Sequence, residues 1–221
     1  MKSVFYRKKL LRVVYGFCLL VMSCNSNTPE TPSISNQIIQ QTDSIPILKF
    51  IYPYDTTFHN NETYIADQFD FPIGKPNAKG YYDAQPFMKN NHLGEDWNAV
   101  TGGNSDLGDP IFATANGYVT DAKDYKGGWG NVIRIVHKLD KNAYPYLESL
   151  YAHCNEILVK KGQFVKKGDQ IATIGNAHGI YYAHLHFELR HEIDMPLGGG
   201  YSTDTTGFLE PKVFIKKNSK Q

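Results

Sequence analysis

From about position 111 onward, short runs of β-branched and aromatic residues recur between Gly, Asp, Asn and Pro punctuation, at 111–113, 117–120, 131–137, 149–153 and 170–174. No stretch of comparable length between them holds a 3.6-residue apolar period, so the pattern predicts strands joined by turns rather than helices. Strands this dense bury their apolar faces against one another. The expected fold is all-β, an antiparallel sandwich or barrel-like core with long loops.

The first 24 residues read differently. Lys2, Arg7, Lys8, Lys9 and Arg12 precede an apolar run at 13–22 and then Ser23-Cys24. That order marks an export signal, and the run is too short to span a bilayer comfortably. Val21-Met22-Ser23-Cys24 resembles a lipoprotein signal-peptidase site. The resemblance implies a signal peptide at 1–23 and a lipid on Cys24, which would anchor an exported protein to a membrane of the cell envelope. Residues 25–44 are mostly Asn, Ser, Thr, Gln and Pro, too poor in large apolar side chains to repay ordering. The expected division is therefore signal 1–23, flexible tether 24–48, and one domain at 49–221 with its core at 69–215.

Charge and cysteines narrow the partners. The whole chain carries +1, but removing the five basic residues of the signal leaves 18 Lys and Arg against 22 Asp and Glu, near −4. No concentrated positive surface is left for a nucleic acid, which argues against such a partner. With Cys18 cut away and Cys24 acylated, Cys154 stands alone and no intrachain disulfide can form. Its place in a strand suggests a small buried hydrophobe.

Three separated fragments carry the chemistry: His92-Leu93-Gly94-Glu95-Asp96-Trp97, Leu150-Tyr151-Ala152-His153 and Ala183-His184-Leu185-His186-Phe187-Glu188. His184 and His186 stand two apart in a strand-like context, so both imidazoles project from one face. Gly94 is expected to let the chain turn so that His92 and Asp96 converge. Two imidazoles and one carboxylate form the ligand set that leaves zinc one open position for water, and the remaining imidazoles are then free for proton transfer.

In order along the chain, these fragments resemble the lysostaphin-type, or LytM-like, zinc endopeptidases of peptidoglycan. The resemblance runs from about 69 to 215. It includes Phe-Pro-Ile-Gly at Phe71, Gly-Asp-Pro-Ile at Gly108, Gly-Trp-Gly-Asn-Val at Gly128, Tyr-Ala-His at Tyr151 and His-Leu-His-Phe-Glu-Leu-Arg at His184. It implies a duplicated hybrid-motif type of β fold, one Zn2+ held by His92, Asp96 and His186, and catalytic roles for His153 and His184 whose division is open. Its implied substrate is a stem or bridge peptide of the bacterial cell wall. Two other readings stay open: a non-hydrolytic activator of a cell-wall amidase, and a zinc peptidase of a secreted protein.

Some features depart from the pattern or point elsewhere. Where the family usually reads Ser-Thr-Gly-Pro-His before its second motif, this chain has Gly179-Ile180-Tyr181-Tyr182-Ala183-His184, with two tyrosines and no proline, which bears on substrate choice. The segment 191–210, with Gly198-Gly199-Gly200, reads equally as a flap or a solvated loop. The segment 159–175 resembles a biotinyl or lipoyl carrier hairpin, but its tip has no lysine to carry the cofactor. His59, His137, His178 and His191 read as ordinary histidines. Trp97 and Trp129 read as core rather than sugar platforms.

Overall fold

The computed structural model describes residues 52–140 and 143–219. The expected signal peptide, the lipidated Cys24 and the tether all lie outside the described residues. Within them the predominant element is the antiparallel strand. Eight strands form one sheet in the order β1 (Tyr81–Gln85), β2 (Glu95–Ala99), β9 (Leu185–Arg190), β6 (Tyr146–Cys154), β5 (Asn131–Lys138), β4 (Gly117–Asp124) and β7 (Phe164–Val165), with β10 (Phe208–Leu209) also pairing β9. A second sheet pairs β3 (Pro110–Phe112) with β8 (Gln170–Thr173). Two short α-helices, α1 (Asp55–His59) and α2 (Pro211–Asn218), and four single-turn 3-10 or π segments lie outside the sheets. The fold is the expected all-β core of antiparallel sheets.

The large sheet divides its faces by residue parity. On one face Ile133 and Ile135 of β5, Leu147 and Tyr151 of β6, and Leu185, Phe187 and Leu189 of β9 pack with Ile111 and Ile171 of the small sheet. Burial of such side chains stabilises by about 1.5–3 kcal/mol each. On the other face, register pairs Ala152 with His186, Leu150 with Glu188, and Glu148 with Arg190, while Asp96 faces His186 from β2. This second face carries the polar groups.

Every residue of β6 and β9 is buried. Both faces of these central strands are covered, one by the small sheet and one by the segment 194–202, which the next section describes.

His137 lies wholly buried in β5, its Nδ1 2.8 Å from the Asn116 carbonyl and its Nε2 2.7 Å from Ser149 Oγ. Burial pushes its pKa down to about 4. The unfolded chain therefore binds a proton between about pH 6.5 and 4 that the folded chain refuses, so stability is full above this window and falls as pH drops through it. The expected loss is about 3 kcal/mol by pH 4. NMR of the His137 ring checks this: the resonance should stay unmoved down to about pH 5, and a midpoint near 6.5 would contradict it.

Candidate metal centre

Parity alone places His186, Glu188 and Arg190 on the polar face of β9 and Asp96 beside them on β2. His92 arrives from the segment before β2. Gly94 makes that approach possible, lying in a bend with Leu93. It lies outside the left-handed region, and a Cβ there would sit 2.8 Å from both His186 Cε1 and the Phe187 carbonyl. Its missing side chain also lets β2 close onto β9.

His153 needs a break in its strand. In regular β alternation it would share the core face with Tyr151, yet its ring centroid lies 4.7 Å from that of His184 and 5.5 Å from that of His186. Its φ of +61° is what turns the side chain over, and the register with β5 slips opposite it, between Asn131 and Ile133. Such a conformation costs a non-glycine residue on the order of 1–3 kcal/mol and concentrates at functional sites. Gly175 seats against this kink, since a Cβ there would lie 2.2 Å from the His153 carbonyl oxygen. The same reversal sends Cys154 into the core, where burial pushes its thiol up to about 12. It is no nucleophile.

His92, His153, His184 and His186 line a cleft of about 460 Å³ with Asp96. Three of the histidines are oriented alike. Each points Nδ1 at a backbone carbonyl, of Gln85 at 3.1 Å for His92, of Trp129 at 3.4 Å for His153 and of Tyr182 at 2.8 Å for His184. A carbonyl only accepts, so Nδ1 carries the hydrogen and Nε2 turns its lone pair inward. His186 is reversed, with Nδ1 inward and Nε2 3.0 Å from Glu188 Oε1.

The inward atoms converge. His186 Nδ1 lies 3.0 Å from His92 Nε2 and 3.0 Å from Asp96 Oδ1, and His92 Nε2 lies 3.3 Å from the same oxygen. Three acceptors so close repel one another unless a cation sits among them. Tetrahedral zinc with bonds of about 2.0–2.1 Å spaces its donors about 3.3 Å apart, so the set fits that ion in both chemistry and spacing. Among the described residues it is the one cluster able to hold a metal. The electrostatics agree. Burial would raise the Asp96 carboxyl, but the His186 and His92 rings set against it hold it well below the usual carboxylate range. Burial also opposes charge on His186, yet Asp96 and Glu188 lift its pKa to about 9, so without an ion a proton fills the place a cation would take.

Residues 90–197 match the model of peptidase family M23. A protein called lipoprotein NlpD from Yersinia enterocolitica is 46% identical over 85 residues, 38% of this chain and 80% of that protein. The chain belongs to peptidase family M23. Other relatives are longer: the murein hydrolase activator NlpD of Escherichia coli is 40% identical over 104 residues, covering 44% of this chain but 26% of that protein. The peptidoglycan DD-endopeptidase ShyB of Vibrio cholerae is 36% identical over 112 residues, 47% of this chain and 25% of the other. The chain thus spans about a quarter of the length of each of these two.

Within this M23 domain the segment 191–210 is largely exposed, but its stretch 195–200 is tied down. Arg134 Nη2 donates to the Met195 carbonyl at 2.8 Å, and Arg190 donates to those of Pro196 and Leu197, each at 3.3 Å. Trp129 Nε1 donates to the Gly198 carbonyl at 3.0 Å, and Leu93 N donates to that of Gly200 at 2.9 Å. The result is a strap across the polar face that forms one wall of the cleft, with Tyr201 tilted against His92 at 5.2 Å between ring centroids. Trp97 packs in the core as expected, and Trp129, half-buried against Val132, Leu150 and Ala152, also reaches the rim, edge-on to His186. Tyr181 packs beside His153, at 5.1 Å between ring centroids, and shapes another wall.

Sequence reasoning missed the charged groups beneath the cleft. Glu188 Oε2 accepts from Arg190 Nε at 2.7 Å, Arg190 Nη1 lies 3.7 Å from Glu148, and Arg134 Nη2 reaches both oxygens of Glu148, at 2.7 and 2.9 Å. Arg190, Glu188 and Glu148 are fully buried. The signal was present in the period of two that runs from His186 through Glu188 to Arg190. His59 and His178 are exposed, and His191 stacks on Tyr144; none of them lines the cleft.

Proposed function

We propose that this M23 chain is a zinc-dependent endopeptidase hydrolysing stem or cross-link peptides of bacterial peptidoglycan, exported to the cell envelope as a lipoprotein acylated on Cys24. The observation that carries the reading is the meeting of His92 Nε2, Asp96 Oδ1 and His186 Nδ1, each 3.0 to 3.3 Å from the others. These three side chains would hold the ion. When bound, zinc supplies Lewis acidity, polarising a carbonyl and acidifying water.

The remaining chemistry falls to side chains of the cleft. His153 and His184 both turn an Nε2 lone pair inward, so either can take a proton from an attacking water and return it to the leaving amine. Burial, reinforced by His186 and His184, holds the His153 pKa down at about 3 and keeps its imidazole neutral near pH 7. The strap and the tyrosine walls fix where a peptide can lie and limit the water around it. Similarity to a peptidoglycan DD-endopeptidase supports the choice of substrate, and similarity to NlpD supports a place in the envelope.

A second reading has its own support, the 40% identity to a murein hydrolase activator. Mass spectrometry of purified sacculi separates the two. An endopeptidase releases new peptide termini by itself and stops when a chelator is added. An activator releases nothing alone and increases the products of an added amidase. Digestion of casein but not of sacculi would favour a secreted-protein substrate instead.

A further inference from the structure

We propose that Glu188, held by Arg190, is the positioning residue that decides which nitrogen of His186 faces the metal. The inference rests on the zinc-site reading above. His186 is the odd one among the cleft histidines, because the other three are fixed by backbone carbonyls at Nδ1 and turn Nε2 inward. Two residues along β9, on the same face, Glu188 offers Oε1 to His186 Nε2 at 3.0 Å.

An ionised carboxylate only accepts, so this contact puts the ring hydrogen on Nε2 and leaves the Nδ1 lone pair beside His92 and Asp96. Arg190 makes the arrangement one-way. Its guanidinium donates to Glu188 Oε2 at 2.7 Å and has no acceptor atom to offer, so that position must always be filled by an acceptor. Glu188 is fully buried, and no solvent can substitute for either partner. Arg190 is steadied in turn by Glu148, at 3.7 Å, which Arg134 grips.

The prediction concerns an isosteric change. In Glu188→Gln the amide oxygen must face Arg190, which turns the NH2 toward His186 Nε2. That nitrogen must then accept, the hydrogen moves to Nδ1, and the lone pair that zinc needs is lost. A substitution that keeps shape and size therefore inverts the imidazole. Adding Arg190→Met removes the demand for an acceptor, lets the amide rotate, and should restore the original tautomer.

Two readouts test this. The first is ¹⁵N NMR of His186 in the full chain with chelator present and above pH 9, where the ring is neutral, which needs no metal. Wild type should show hydrogen on Nε2, Glu188→Gln on Nδ1, and the double variant on Nε2 again. The second is zinc affinity by competition with a chelating dye, expected to fall about 10- to 100-fold in Glu188→Gln and to recover in the double variant. Hydrogen on Nδ1 in wild type overturns the proposal even if no variant folds. So does a Glu188→Gln protein that keeps the Nε2 hydrogen or binds zinc within twofold of wild type. A wild type that binds no zinc but shows the predicted tautomers sinks the metal-site reading and leaves the role of Glu188 standing.

Discussion

His153→Ala is expected to retain one zinc per chain and to lower kcat on cross-linked muropeptides by about 10²- to 10⁴-fold, the range for loss of a positioned proton carrier. Zinc should stay because His153 is not among the converging acceptors; its Nδ1 is directed at the Trp129 carbonyl. KM should change little, since the imidazole acts on the proton rather than on substrate binding. The alanine also relieves nothing at φ +61°, so the domain should be no more stable than wild type. Metal content by atomic absorption and kcat from muropeptide release decide the matter. A turnover within threefold of wild type would remove His153 from the mechanism.

The second large effect is on stability. Arg190→Ala should destabilise the domain, measured by urea unfolding with chelator present, by about 3–5 kcal/mol, because it strands the buried Glu188 carboxylate without its partner. That corresponds to a fall in Tm of about 10 °C for a domain of this size. The loss should exceed that of the double change Arg190→Met with Glu188→Gln, in which no charge is left unpaired at these two positions. A loss below about 1 kcal/mol for the single change would mean that water reaches Glu188.

The contrast between these residues and the cleft histidines explains what could be read in the sequence. The strands at 111, 117, 131, 149 and 170 were legible because β-branched and aromatic runs ended at turn residues, and the structure keeps the starts at 117, 131 and 170 and moves the other ends by one to four positions. The start of β6 at Tyr146 was hidden by Glu148, a charged residue that pattern reading places in solvent and the fold places at the centre of the sheet. β2 was hidden in the same way: Glu95 is buried against Trp97 and the N-terminus of α2, where desolvation lifts its pKa to about 7. The five cleft residues were legible from motif order. Their geometry was not, because the left-handed turn at His153 and the close approach at Gly94 depend on contacts with Gly175 and His186, remote in sequence.

The strap bears on how the cleft meets its ligand. Because Arg134, Arg190, Trp129 and Leu93 already hold its carbonyls, no segment of that wall has to be frozen when a peptide arrives. Recognition then resembles a key meeting a finished lock: association should be fast and nearly free of a slow isomerisation phase. Selectivity would come from rejecting side chains that collide with Tyr181 and Tyr201, so a change of diet in a descendant of this protein is easiest to achieve at those two rings.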